Sequence, residues 1–290
     1  MQHDMLPPAD RPAMVDRTAR AHARARARLD RAGFLHDEAR LELQERLLDV
    51  NRSFTKPALV TPFPEYWCDF LPGVKVVADM PVLDLAPAEH DLVIHAMGLH
   101  WAEDPVGQLV QCRRALRPDG LLMVALLGGE TLQELRLSLA EAETQVMGGL
   151  SPRVAPMAEI RDLGGLLARA GLSLPVADRL SRKVSYASLF HLIRDLRDMG
   201  ETNALAARHR ATPPRAFFPR AAQIYARDHA TPDGRISATF EMIFLTAWAP
   251  HDSQQKPLRP GSAAARLAEA LDTTEFDESA RAVPPAMKDE

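Results

Sequence analysis

The chain has 290 residues, 46% hydrophobic and 26% charged, the composition of a globular protein long enough to bury a substantial core. Its 35 basic and 39 acidic residues leave a formal net charge of −4, so no global field draws it to nucleic acid. The two cysteines, Cys68 and Cys112, lack metal-ligand spacing, and no apolar run approaches the ~20 residues of a membrane helix, so a disulfide framework and a transmembrane segment are both excluded.

The opening residues, 1–15, are polar and proline-rich and carry no secretion signal; they are expected to be disordered, and a cytoplasmic location is the resulting expectation. From Asp16 to Arg31 alanine alternates with arginine. The helix propensity is high, but a period of two spreads charge around a helix and leaves no clean apolar face. The stretch reads as a solvated helix at the domain edge, or as an arm for an anionic partner. A helix capped by Asp37 or His36 is expected over Glu38 to Val50. A buried strand follows at Ala58 to Val60, framed by Pro57 and Pro62, then a short helix from Pro64 to Leu71.

Val74 to Ala78 reads as a strand ending at Asp79, and Asp91 to His95 as a continuous apolar strand. A helix from Asp104 to Leu116, a break at Arg117-Pro118-Asp119-Gly120 and a strand from Leu121 to Leu127 complete a βαβ unit, which requires a parallel sheet covered by helices. The first three apolar segments of the sheet beyond Pro64, at Val74 to Asp79, Asp91 to Met97 and Leu121 to Leu127, are expected to be neighbours. Helices are expected over Thr131 to Val146, Met157 to Ala170, Ser188 to Met199 and Arg215 to His229. Strands are expected at Asp178 to Tyr186 and Thr239 to Ala249, and one short helix over 263–271.

The segment Ala115 to Val124 resembles the helix, Pro-Gly break and strand of class I S-adenosylmethionine (SAM) methyltransferases. Asp91 to Trp101, Gly128 to Arg136, Ser151 to Pro156, Asp195 to Leu205 and Pro250 to Ser262 narrow the resemblance to one branch. That branch groups the malonyl-carrier-protein methyltransferases of biotin synthesis with the methyltransferase-like assembly factors of mitochondrial respiratory complex I. The similarity runs from about Asp16 to Leu271 and is stronger to the complex I factors.

The resemblance implies an α/β fold with a Rossmann-like seven-stranded methyltransferase sheet, helices on both faces and a final antiparallel hairpin. The domain is expected over 16–271, with a helical insertion at 131–230 and a disordered tail at 272–290. Between the Ala58 strand and Asp91 lie too few residues for two complete βα units, so one unit is expected to be missing.

SAM is the cofactor the resemblance implies, and its glycine loop is absent: the matching site reads Thr61-Pro62-Phe63-Pro64, without the backbone freedom a close approach needs. The cofactor-binding candidates are Thr61, Asp79, Met97 and Trp101. His95 and His100 are the candidate bases, since imidazole titrates near neutral pH. Asp79 also reads as an ordinary solvated carboxylate at a strand end, and Glu130 and Arg136 as residues facing the cleft or as a surface pair. Arg113-Arg114 and the Arg259 to Ser262 turn read as solvated. Three functions remain open: a SAM-dependent enzyme acting on a protein client such as a complex I subunit, an inactive scaffold binding that client without SAM, and a biotin-pathway esterifying enzyme.

Overall fold

The computed structural model describes residues 13–255. The chain divides between His251 and Asp252; the second unit is described only as far as Gln255, and the fold below is that of the first. The disorder expected for residues 1–12 and 272–290, the helix expected over 263–271 and the Arg259 to Ser262 turn lie outside the described residues. Val15, from the stretch expected to be disordered, is buried and bridges to Leu205.

The elements in chain order are α1 (Arg17–Ala25), α2 (Leu29–Ala32), α3 (Phe34–Val50), β1 (Pro57–Thr61), α4 (Pro64–Trp67), β2 (Lys75–Ala78) and β3 (His90–Ala96). There follow α5 (Pro105–Ala115), β4 (Leu116–Leu127), α6 (Gln133–Met147), α7 (Ile160–Arg169), β5 (Ser173–Tyr186), α8 (Leu189–Asp198), α9 (Phe217–His229) and β6 (Ile236–Trp248). Local chemistry sets several of the boundaries. Asp104 accepts from Gly107 N at 2.8 Å with Pro105 in the first turn of α5, and Asp16 accepts from Ala19 N at 3.0 Å to start α1. Pro118-Asp119-Gly120 does not separate helix from strand as expected. β4 already starts at Leu116, and the break is absorbed inside it by Asp119 at φ +60.

The described sheet has six strands in the order β2-β1-β3-β4-β6-β5, parallel from β2 through β4, with β6 antiparallel to both β4 and β5. The α/β class and the antiparallel pairing of the last two strands agree with expectation, although α8 and α9 lie between β5 and β6 so that the pair is no hairpin; six strands are seven less the one missing unit. One neighbour relation needs correction. β2 does not pair with β3; β1 lies between them, because the chain runs outward from β1 to β2 and then crosses back over β1 to β3.

The strands at the centre are buried on both faces, as parallel strands covered by helices must be. One face carries the larger core, in which Leu43 of α3, Leu139 of α6, Leu192 of α8 and Phe217 of α9 meet Ile94, Met123 and Phe240 of the sheet. The other face packs Leu109 and Cys112 of α5 and Leu167 of α7 against Val60, Val93 and Val124. The 131–230 stretch holds α6 to α9 and also β5.

Candidate active-site cleft

Strand order reverses between β1 and β3, and in open α/β sheets ligands bind in the crevice beyond the carboxyl ends at such a reversal. Three strand ends converge there: Thr61-Pro62 from β1, Asp79 after β2, and Ala96-Met97-Gly98 from β3. Asp79 N donates to Thr61 O at 3.2 Å, which ties the first two ends together.

The part of the crevice directly over Gly98 is closed by protein, while a cavity remains open beside it. A Cβ placed on Gly98 would lie 2.6 Å from Asp79 Oδ2 and 3.1 Å from Pro62 Cδ, so carboxylate and proline ring already press against the glycine. Arg24 of α1 then takes both carboxylate oxygens of Asp79, Nη1 to Oδ1 at 2.7 Å and Nη2 to Oδ2 at 2.6 Å. Only 7% of the Asp79 side chain remains exposed.

A second ionic node lies beside the first. Glu201 follows Gly200, whose φ of +76 ends α8 and lets Glu201 N bond back to Leu196 O at 2.8 Å. The Glu201 carboxylate accepts from Arg20 Nη2 at 3.0 Å and from Trp101 Nε1 at 2.6 Å, with His100 Nε2 at 3.6 Å. Arg20 also donates to Gly200 O at 2.5 Å and lies 4.8 Å over the Trp101 ring. Burial would raise the Glu201 acid, but Arg20 and His100 outweigh it and hold the group far below the usual carboxylate range.

His95 is buried, and burial pulls its ring down to about 4, so it is neutral at pH 7. Its Nε2 lies 3.4 Å from Gln108 Oε1, and Gln108 in turn donates to Met80 O at 2.7 Å. His36 is buried and pulled to about 4 in the same way, with Trp67 Nε1 donating to its Nδ1 at 3.1 Å.

Two cavities flank the nodes. One, of about 370 Å³, is bounded by α1 and the loops after β2 and β3, including Arg17, Arg24, Asp79, His95, Trp101 and Gln108. The other, of about 230 Å³, is mainly apolar, with Leu135, Met199, Phe218 and Phe240 around Glu201. Trp101 is a wall common to both.

The six sequence-derived candidates therefore separate. Asp79, His95 and Trp101 line the larger cavity. Thr61 is fully buried, its Oγ1 accepting from Phe63 N at 3.3 Å, and Met97 at φ +54 joins the larger core; neither lines a cavity. His100 sits behind Trp101 against Glu201. Glu130 accepts from Gln133, and Arg136 donates to Ala155 O at 3.2 Å behind the wall of the smaller cavity; neither side chain lines either cavity.

Arg20, Arg24 and Glu201 escape the sequence reading. Reading α1 as period two hides that Arg20 and Arg24 stand at i and i+4, on the one face that a helix can bury. That face packs inward, with Arg20 4% exposed. The tell-tale signal for Glu201 is its place just after a helix-ending glycine, a position that fixes a side chain's direction.

A SAM cradle needs free backbone donors after β1 and a carboxylate available to the ribose or adenine. Here the segment after β1 carries two prolines, none of Thr61, Pro62 or Phe63 lines the larger cavity, and Asp79 is engaged on both oxygens by Arg24. The residues present do not fit SAM.

A family model described as "Methyltransferase domain" matches residues 25–124. The zebrafish (Danio rerio) protein named "Arginine-hydroxylase NDUFAF5, mitochondrial" is 38% identical over 193 residues, 67% of this chain and 60% of that protein. Its Dictyostelium discoideum counterpart of the same name is 40% identical over 187 residues, 64% of this chain and 43% of that protein. A "Malonyl-[acyl-carrier protein] O-methyltransferase" of Methylovorus is 36% identical over 176 residues, 60% of this chain and 56% of that protein. The chain thus matches less than two thirds of the length of each. The names of the first two correct the expectation of a cytoplasmic location, since those relatives are mitochondrial. That expectation took the lack of an apolar segment as a sign of compartment. What the fold shows is narrower: no helix among the described residues is long and apolar enough to cross a membrane.

Proposed function

We propose a function for a chain that belongs to the class I methyltransferase superfamily: it is a protein-binding factor in respiratory complex I assembly that holds its client without SAM chemistry. The complex I setting comes from the sequence resemblance to that branch. The observation that carries the loss of SAM chemistry is the engaged carboxylate: Pro62 and Asp79 close on Gly98, and Arg24 takes both oxygens of Asp79.

The names of the relatives do not point to one reaction, since one group is named for arginine hydroxylation and the other for O-methylation of malonyl-[acyl-carrier protein]. What this chain keeps is a rigid two-node cleft with an apolar cavity of about 230 Å³ beside a charged carboxylate. Such a cavity accepts an apolar side chain of a client, with Trp101 and Phe240 as packing surfaces. His36 and His95 do no proton transfer in this reading; their neutral rings fill the core beside the nodes.

The reading is tested by incubating the full chain with methyl-labelled SAM and purified complex I subunits. No label transfers above background, while a subunit co-elutes with the chain on gel filtration. Transfer of label to a subunit, or to this chain, overturns the proposal.

A further inference from the structure

A third concavity, broad and open at about 630 Å³, lies where the end of β5 meets α8, and it shares no lining residue with the two cleft cavities. Lys183 of β5, Arg194 of α8 and Arg235 just before β6 line it. Lys183 and Arg194 have no carboxylate partner among the described residues. Arg235 is held in place by donating to Ser185 Oγ at 2.7 Å and Ser185 O at 2.9 Å, with the carboxylate of Asp233 close by. The one acid in the lining is Asp195, close to Tyr186. In a chain of net charge −4, three cations against two acids, Asp195 in the lining and Asp233 beside Arg235, leave a local positive basin.

Two features separate this basin from a site for a small oxyanion. The cations stand on three different elements around a concavity far larger than one phosphate. Aromatic rings also flank it: Phe34, 36% exposed, is in the lining, and Phe190, 52% exposed, stands one helical turn from Arg194 on α8. An inorganic ion gains nothing from exposed phenyl rings, whereas a peptide that alternates acidic and apolar side chains satisfies both chemistries.

We propose that this basin docks an acidic, apolar-bearing peptide segment of a partner protein. The site is separate from the cleft, and its occupancy does not depend on what the cleft binds. Charge complementarity sets the partner's composition, and Phe34 and Phe190 take its apolar side chains.

The test is fluorescence anisotropy with a labelled peptide of alternating Glu and Leu, titrated with the full chain at low salt. The chain binds this peptide and not the Lys–Leu counterpart, and added salt weakens the complex. The double variant Lys183→Glu, Arg194→Glu loses affinity on the order of tenfold or more with an unchanged melting temperature. Phe190→Ser, which leaves every charge in place, weakens binding severalfold and guards against misfolding of the double variant. The proposal is overturned if the wild-type chain fails to bind, or if the double variant binds equally well. It is also overturned if equimolar inorganic phosphate displaces the peptide, or if only phosphatidylglycerol vesicles bind.

Discussion

Arg24 and Asp79 form a two-point ion pair, each guanidinium Nη on its own carboxylate oxygen at 2.7 and 2.6 Å, across the crevice where strand order reverses. Such forked pairs are the strong form of the charged hydrogen bond. This pair turns a position read as a cofactor ligand or a solvated strand end into an internal ion pair of the cleft.

Asp79→Asn is therefore not a surface change. The amide offers one acceptor and no charge, and it leaves Arg24 facing a neutral group with its side chain only 21% exposed. Stability falls by about 3 kcal/mol, against the ~0.5 kcal/mol of a solvated carboxylate. Urea unfolding of the variant measures it, and a change within ~0.5 kcal/mol removes the pair from the account.

Glu201 is the more costly of the two carboxylates, because Arg20 and Trp101 both depend on it. Glu201→Gln leaves Arg20, 4% exposed, without its counter-charge and costs about 3–5 kcal/mol. Trp101→Phe removes only the indole bond and costs about 1–2 kcal/mol. Chemical denaturation of both variants should rank them in that order; the reverse order would show that indole packing, not the ionic node, holds this part of the cleft.

His36 and His95 give the fold a pH dependence of known sign. Their folded values of about 4 lie below the 6.5 of an exposed ring. Between those values the unfolded chain binds protons that the native chain does not, so stability is full above pH 6.5 and falls as pH drops toward 4. Each ring withdraws up to about 3 kcal/mol across that window. His95→Asn removes one of the two contributions, and urea midpoints at pH 7.5 and pH 5 should then differ by less than in the wild type. An undiminished difference places the dependence elsewhere.

Most of the sheet is legible in the sequence because its signals are local. Asp91 to His95 is a continuous apolar run, and Asp104 followed by Pro105 marks the start of α5 through capping chemistry alone. The position of β1 between β2 and β3 is not local, since a short chain between strands does not say on which side of a neighbour it lands. The cleft shows the same limit. Asp79, His95 and Trp101 are recognisable from their places at or after strand ends, yet for Asp79 and Trp101 what decides their chemistry comes from far along the chain. Arg24 is 55 residues from Asp79, and Glu201 is 100 residues from Trp101. Met97 misleads because its left-handed backbone, at φ +54, turns the side chain into the core.

The central claim is that this chain's own side chains close over Gly98 and engage the carboxylate SAM would need, and isothermal titration of the full chain with SAM tests it most directly. Loss of two or three hydrogen bonds of roughly 1 kcal/mol each weakens affinity on the order of a hundredfold, and displacement of the Arg24–Asp79 pair adds to that cost. The account predicts no binding heat at SAM concentrations of tens of micromolar, roughly the range that saturates a site of micromolar affinity. A saturable isotherm with a dissociation constant of a few micromolar, abolished by Asp79→Ala, would contradict it and return the chain to the SAM-dependent enzymes.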